Sequence, residues 1–181
     1  MRHGLRLAPL LLLASIFFGL VPSSAGATTV SVIPPDTTVI VGTSFSLRIS
    51  TDAFPDLKAF QLIFAFDPTK LQFLGADPGD VLTLPANPFS LFVLSDYVAP
   101  ADTAWTDCAM LVGSSAGPGI LNFYKFKALI VGDSPIQCRL VDFRDSNNAQ
   151  TLPNCNSGIV RIVGPTPTRR TSWGRLKTLY H

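Results

Sequence analysis

Glutamate is missing from this chain altogether, and histidine is confined to its two ends. All twelve acidic residues are aspartates, and the two histidines are His3 and His181. Without glutamate a helix loses one of its strong formers, its capping-box partner and its i,i+4 ion pairs, whereas aspartate is at home in turns. Without a histidine in the interior of the chain no Ser–His–Asp or Cys–His arrangement can be assembled. A zinc site would have to be built from three scattered cysteines, which is a poor donor set. Charged residues make up only 14 % of the chain. The body carries no cluster of basic groups, which excludes a nucleic-acid-binding surface.

What is present divides the chain into four parts. Residues 1–27 read as a secretory leader: Arg2 and Arg6 open it, Leu7–Leu20 is apolar, and Ala25-Gly26-Ala27 is a small-residue cleavage site. The apolar run is short for a spanning helix, which needs about 20 apolar residues. Residues 28–163 are the folded body, with eight basic groups against twelve aspartates. Residues 164–171 are a stiff Pro/Thr linker, and 172–181 a basic tail. In that tail Thr171 or Ser172 caps a short helix with Trp173, Leu176, Leu179 and Tyr180 on one side. A helix of about ten residues is marginal alone in water, so the tail is expected to order on a membrane, on sorting machinery or on another partner.

Fifteen prolines, thirteen glycines and period-2 alternation make the body all-β. Thr29–Ile33 and Thr38–Val41 read as one edge strand broken by Pro34-Pro35-Asp36. Phe45, Leu47 and Ile49 alternate with Ser46, Arg48 and Ser50 in a half-buried strand. Further strands are expected at Leu71–Leu74, Leu91–Val98, Thr103–Val112, Ile120–Val131, Ile136–Phe143 and Gly158–Val163. About nine strands of this spacing predict a two-sheet jelly-roll sandwich with a short C-terminal tail.

The central stretch is LKAFQLIFAFDPTKLQFLGADPGD, Leu57 to Asp80. Phe60, Leu62, Phe64 and Phe66 take one face of its first strand, and Ala59, Gln61, Ile63 and Ala65 the other. The run FAFDPTKLQFLGADPGDVL resembles the strand–DP–strand–GD region of cohesin domains, β-sandwich relatives of the cellulose-binding modules. VIPPDTTVIVGTSFSLRIS and GILNFYKFKAL resemble the same family, so the likeness spans roughly Thr29 to Val163.

That resemblance implies a non-catalytic binding module, with dockerin-type proteins as partners, working outside the cell in polysaccharide handling. The surface it implies is the outer face bearing Ala59, Gln61, Ile63 and Ala65, with Tyr97 near where such modules present an outward tyrosine. Dockerin-binding members commonly carry Asn and Asp where this chain has Ala59 and Gln61. The alternative is direct polysaccharide binding, for which Trp105, Tyr97 and Tyr124 are the candidate platform rings.

Of the three cysteines, Cys138 and Cys155 are placed to bridge the polar loop RDSNNAQTLPN, leaving Cys108 as a buried thiol. Asp67, Asp77 and Asp80 read as turn residues bonding their own backbone, not as a glycosidase pair. Asp142–Asn148 reads as a solvated loop; it lacks the glycine and final carboxylate of an EF-hand site. No cofactor and no metal are expected.

Overall fold

The computed structural model describes residues 27–82, 90–93 and 102–166, with 90–93 described by backbone alone. The leader up to residue 26, Tyr97 and the tail residues Trp173, Leu176, Leu179 and Tyr180 lie outside the described residues.

In chain order the strands are β1 (Thr29–Ile33), β2 (Asp36–Ile40), β3 (Ser44–Thr51), β4 (Ala59–Ala65), β5 (Leu71–Pro78) and β6 (Ser90–Val93). They continue with β7 (Thr103–Met110), β8 (Gly119–Ala128), β9 (Gly132–Arg144), β10 (Gln150–Thr151), β11 (Asn154–Asn156) and β12 (Gly158–Val163). One sheet has the order β11-β1-β3-β8-β5; the other runs β2-β12-β9-β4-β7-β6, with β10 added against β9. The molecule is the expected all-β sandwich. The strand count exceeds nine because β10 and β11 are two- and three-residue pairings in a polar stretch, too short to display a period.

Three local expectations need correction. The two pieces around Pro34-Pro35 are not one edge strand. β1 lies inside the first sheet between β11 and β3, while β2 edges the second beside β12. Two successive prolines remove two amide donors, so the ladder stops and the chain changes sheet there. β5 runs on past Leu74 to Pro78: a bulge at Phe73/Gly75 loops Leu74 out, and Gly75 takes a φ of 126°. Asp77 is therefore a strand residue paired to Lys125 at 2.7 Å, not a turn residue. β8 stops at Ala128 instead of Val131, because Leu129 turns its amide to the Lys70 carbonyl, 2.8 Å away. Ile130 is consequently exposed and not part of the core.

The core lies between the sheets. β4 contributes Phe60, Leu62 and Phe64, and β7 Ala104, Cys108 and Met110; Leu47, Ile49, Tyr124 and Phe126 face them from β3 and β8. Phe64 and Tyr124 meet edge-on at 5.8 Å, as do Phe66 and Phe126 at 5.2 Å, a geometry worth about 1 kcal/mol per pair beyond burial. One polar group of three is sealed inside. Thr106 Oγ1 and Tyr124 Oη share a hydrogen bond of 3.0 Å, and Asn122 Nδ2 donates to Thr106 Oγ1 at 2.8 Å. All three residues are fully buried. Asn122 points inward directly after Leu121 because β8 bulges at that point, opposite Ile49/Ser50.

Candidate binding face

The chemistry available in the body is limited. Cys108 is buried under the second sheet, and burial pushes its thiol up to about 12, so it stays protonated and unreactive at neutral pH. Cys138 and Cys155 form a disulfide that joins β9 to β11.

The aspartates are dispersed. Asp67 takes the Thr69 amide and hydroxyl, a local turn as expected, and these bonds with Lys70 hold its carboxyl below the usual range. Asp80 instead accepts the Ile120 amide at 2.6 Å, fastening the start of β8 and not its own turn. The Asp142–Asn148 stretch is not all loop, since Asp142–Arg144 finish β9; beyond them Asp145 accepts the amides of Asn147 and Ala149, and Ser146 caps Asp56 through its hydroxyl at 2.6 Å. Among the described residues no three metal-ligating side chains converge.

The outer face of the second sheet is organised differently. Antiparallel register puts residues from β7, β4 and β9 side by side in rows, strands about 4.8 Å apart. One row is Trp105–Ile63–Leu140, and the next is Asp107–Gln61–Asp142. Beyond it lies Ala109–Ala59–Arg144, and on the far side Thr103–Ala65–Gln137. An apolar row thus borders an acidic one. The alanine row next to it is low, leaving a depression of about 360 Å³ among Ala59, Gln61, Asp107, Ala109, Asp142 and Arg144.

Asp142 is the most constrained group on this face, with only 15 % of its side chain exposed. Its Oδ2 accepts from Arg144 at 2.9 Å and from Gln150 at 2.8 Å, while Oδ1 accepts from no protein group. Oδ1 is itself buried, so Asp142 gives this face a negative charge and not an open acceptor.

The structure therefore gathers Ala59, Gln61, Ile63 and Trp105 on one face, all half-buried. Ala65 is a partial exception: its face is the same, but it is only 6 % exposed. Its single methyl sits between the longer side chains of Thr103 and Gln137 and offers a partner little surface. Tyr124, a candidate sugar platform, is fully buried with its hydroxyl bonded inward. The sequence does not assign Asp107, Ala109, Leu140, Asp142 or Arg144 to this face. The alternation of β7 would have supplied the first two, but a bulge between Ile63 and Phe64 shifts the β9 register and hides the others.

Solved structures share the fold that carries this face. A type I cohesin in complex with its dockerin from Clostridium thermocellum superposes with a TM-score of 0.63 at 16 % identity, over 77 % of this chain and 95 % of that one. This chain has the cohesin fold. A non-cellulosomal cohesin from the hyperthermophilic archaeon Archaeoglobus fulgidus gives 0.60 at 16 % identity, over 86 % and 100 % of the two chains. The cohesin module of a family 33 glycoside hydrolase from Clostridium perfringens gives 0.63 at 11 % identity, over 77 % and 98 %. No protein-family model and no curated protein matches the sequence. The cohesin likeness is thus carried by sheet order and packing, far more than by side chains.

Proposed function

We propose that this chain is an exported, non-catalytic cohesin-type module that binds a dockerin-like protein through the outer face of β9, β4 and β7. The observation that carries the reading is the two-row surface: Trp105–Ile63–Leu140 beside Asp107–Gln61–Asp142 on a cohesin sandwich. A helix laid across the strands would bury its apolar positions on the first row and direct amide, Lys or Arg donors to the second. The departure from the Asn and Asp pair at Ala59 and Gln61 leaves Gln61 and Asp107 to supply hydrogen bonds, with Asp142 adding charge behind them. A partner therefore needs a donor-rich flank beside its apolar stripe.

Export is supported by the leader pattern of residues 1–27 and by the Cys138–Cys155 bridge, which persists in oxidising compartments. A role in polysaccharide handling goes with this reading. Direct glycan binding is less well served. Flat aromatic platforms stack sugars over several rings, and with Tyr124 buried, Trp105 is the one described aromatic of the candidate set left on the face.

The test is titration of the oxidised protein with dockerin modules and, in parallel, with soluble and insoluble glycans. Binding to a dockerin that is lost in Ile63→Asp supports the reading. Retention on glycan that is lost in Trp105→Ala, with no dockerin binding, replaces it with the carbohydrate-binding alternative.

A further inference from the structure

A second apolar surface lies at the opposite corner of the same sheet. In the register of β2, β12 and β9, Ile40 is opposite Val163, and Ile162 opposite Gly132, so Val131 lies next to Val163. The β8–β9 turn extends the patch with Leu129 and Ile130, and it is held in place by Gly42 N to Ala128 O and Ala128 N to Thr43 O, 2.8 and 2.9 Å. These five aliphatic side chains are each between 38 % and 59 % exposed. Isolated apolar residues on a surface need no explanation, but a contiguous group does. Its border carries three carboxylates against two cations: Asp36 and Asp133 share the guanidinium of Arg161, and Asp67 pairs with Lys70 beside Gly132.

The chain leaves the sandwich from inside this patch. Val163 belongs to it, Gly164 sits in open space, and the fifteen residues from Pro167 onward follow. Those residues hold an apolar set, Trp173, Leu176, Leu179 and Tyr180, among four basic ones, Arg169, Arg170, Arg175 and Lys177. Apolar stripe and basic flank complement an apolar patch with an acidic border.

We infer that the C-terminal segment 171–181 folds back onto this corner and covers Ile40, Leu129, Ile130, Val131 and Val163, with Trp173 as its anchor. The spacer is long enough to turn and too short to carry the segment far. Gly164, ahead of the stiff Pro/Thr stretch, is where the chain can turn back; at an effective concentration of about 1 mM, a contact with a dissociation constant of about 0.1 mM between separate pieces is about tenfold populated within one chain. This surface is distinct from the β9–β4–β7 face, and the inference stands whether or not a dockerin binds there.

The chain has two tryptophans, so Trp105→Phe leaves Trp173 as the single indole reporter. In the full chain, Trp173 emission is expected at shorter wavelength than in a free peptide of residues 167–181, with weaker acrylamide quenching, at every protein concentration. Ile130→Asp alters an exposed turn and is expected to return both readings to the peptide values. If Trp105→Phe does not fold, trypsin cleavage after Arg175 and Lys177 in the otherwise unaltered chain serves instead: slow in the native protein and severalfold faster in Ile130→Asp. Peptide-like emission or unprotected cleavage sites in the native chain would overturn the inference. A blue shift that grows with concentration would assign the patch to a second copy, and one indifferent to Ile130→Asp would place the segment elsewhere; either result refutes it.

Discussion

Replacing Thr106 by valine should destabilise the sandwich more than removing the hydroxyl of Tyr124, although each change deletes one oxygen from the same buried group. Thr106 Oγ1 is the hub: it meets Tyr124 Oη at 3.0 Å and receives Asn122 Nδ2 at 2.8 Å. Valine keeps the branched shape but strands a fully buried amide and a fully buried phenol. The phenol's fallbacks are the Leu62 carbonyl at 3.5 Å and the neighbouring Asn122 side chain, which keeps the cost at the low end. Stranded buried polar groups cost about 1–3 kcal/mol each, so Thr106→Val should cost about 3 kcal/mol in total. Tyr124→Phe keeps the ring against Phe64 and Phe73 and leaves the Asn122–Thr106 bond standing, for a loss of about 1 kcal/mol. With a urea slope of about 2 kcal/mol/M, the midpoints should fall by about 1.5 M and about 0.5 M. Urea unfolding followed by tryptophan fluorescence measures both. Equal shifts, or a smaller one for Thr106→Val, would mean that the three groups do not act as a hub and that this account of the inter-sheet polar contact is wrong.

Other consequences are open to equally direct measurement. Reducing the Cys138–Cys155 bridge, whose residues are 17 apart, should cost about 3 kcal/mol and lower the melting temperature by roughly 10 °C; calorimetry with and without reductant reads this. Gly79→Ala should impair folding, because a Cβ there overlaps the Ile120 carbonyl and forces β5 away from β8; loss of cooperative melting is the expected sign. Burial raises the Cys108 thiol from 9.0 to about 12 and also raises the Tyr124 phenol, so the unfolded chain releases these protons first. The stability they contribute is full below pH 9 and declines as pH rises toward 12, which denaturation midpoints between pH 8 and 11 would reveal. Native Cys108 should also resist thiol reagents until the protein unfolds.

The parts legible in the sequence are those governed by local periodicity. Phe60, Leu62 and Phe64 alternate with Ala59, Gln61 and Ile63 because β4 is paired on both sides along its whole length, so its period of two is unbroken. The sandwich, the inward set and the cysteine pairing follow from such patterns. Local reading failed wherever one residue is looped out or a connection changes sheet. Leu74, Leu121 and the shift beside Phe64 each reset the inside–outside phase downstream. The Pro34-Pro35 break gives no indication of which sheet receives β2. The composition of the binding face was hidden for the same reason. Its rows are made by register between strands some forty and eighty residues apart, so neither Asp107 nor Asp142 announces that it flanks Gln61.

Isothermal titration of the oxidised protein with a dockerin module, repeated with Ile63→Asp, goes most directly to the central claim. Ile63 is half-buried on the outer face between Trp105 and Leu140, outside the inter-sheet core, so a charge there should cost about 1 kcal/mol, lower the melting temperature by a few degrees and leave the fold intact. The account predicts saturable one-to-one binding by the native protein and at least a tenfold loss in the variant, the effect of setting a carboxylate against an apolar helix stripe. Undiminished binding by the variant would move the contact away from the β9–β4–β7 face and contradict the account.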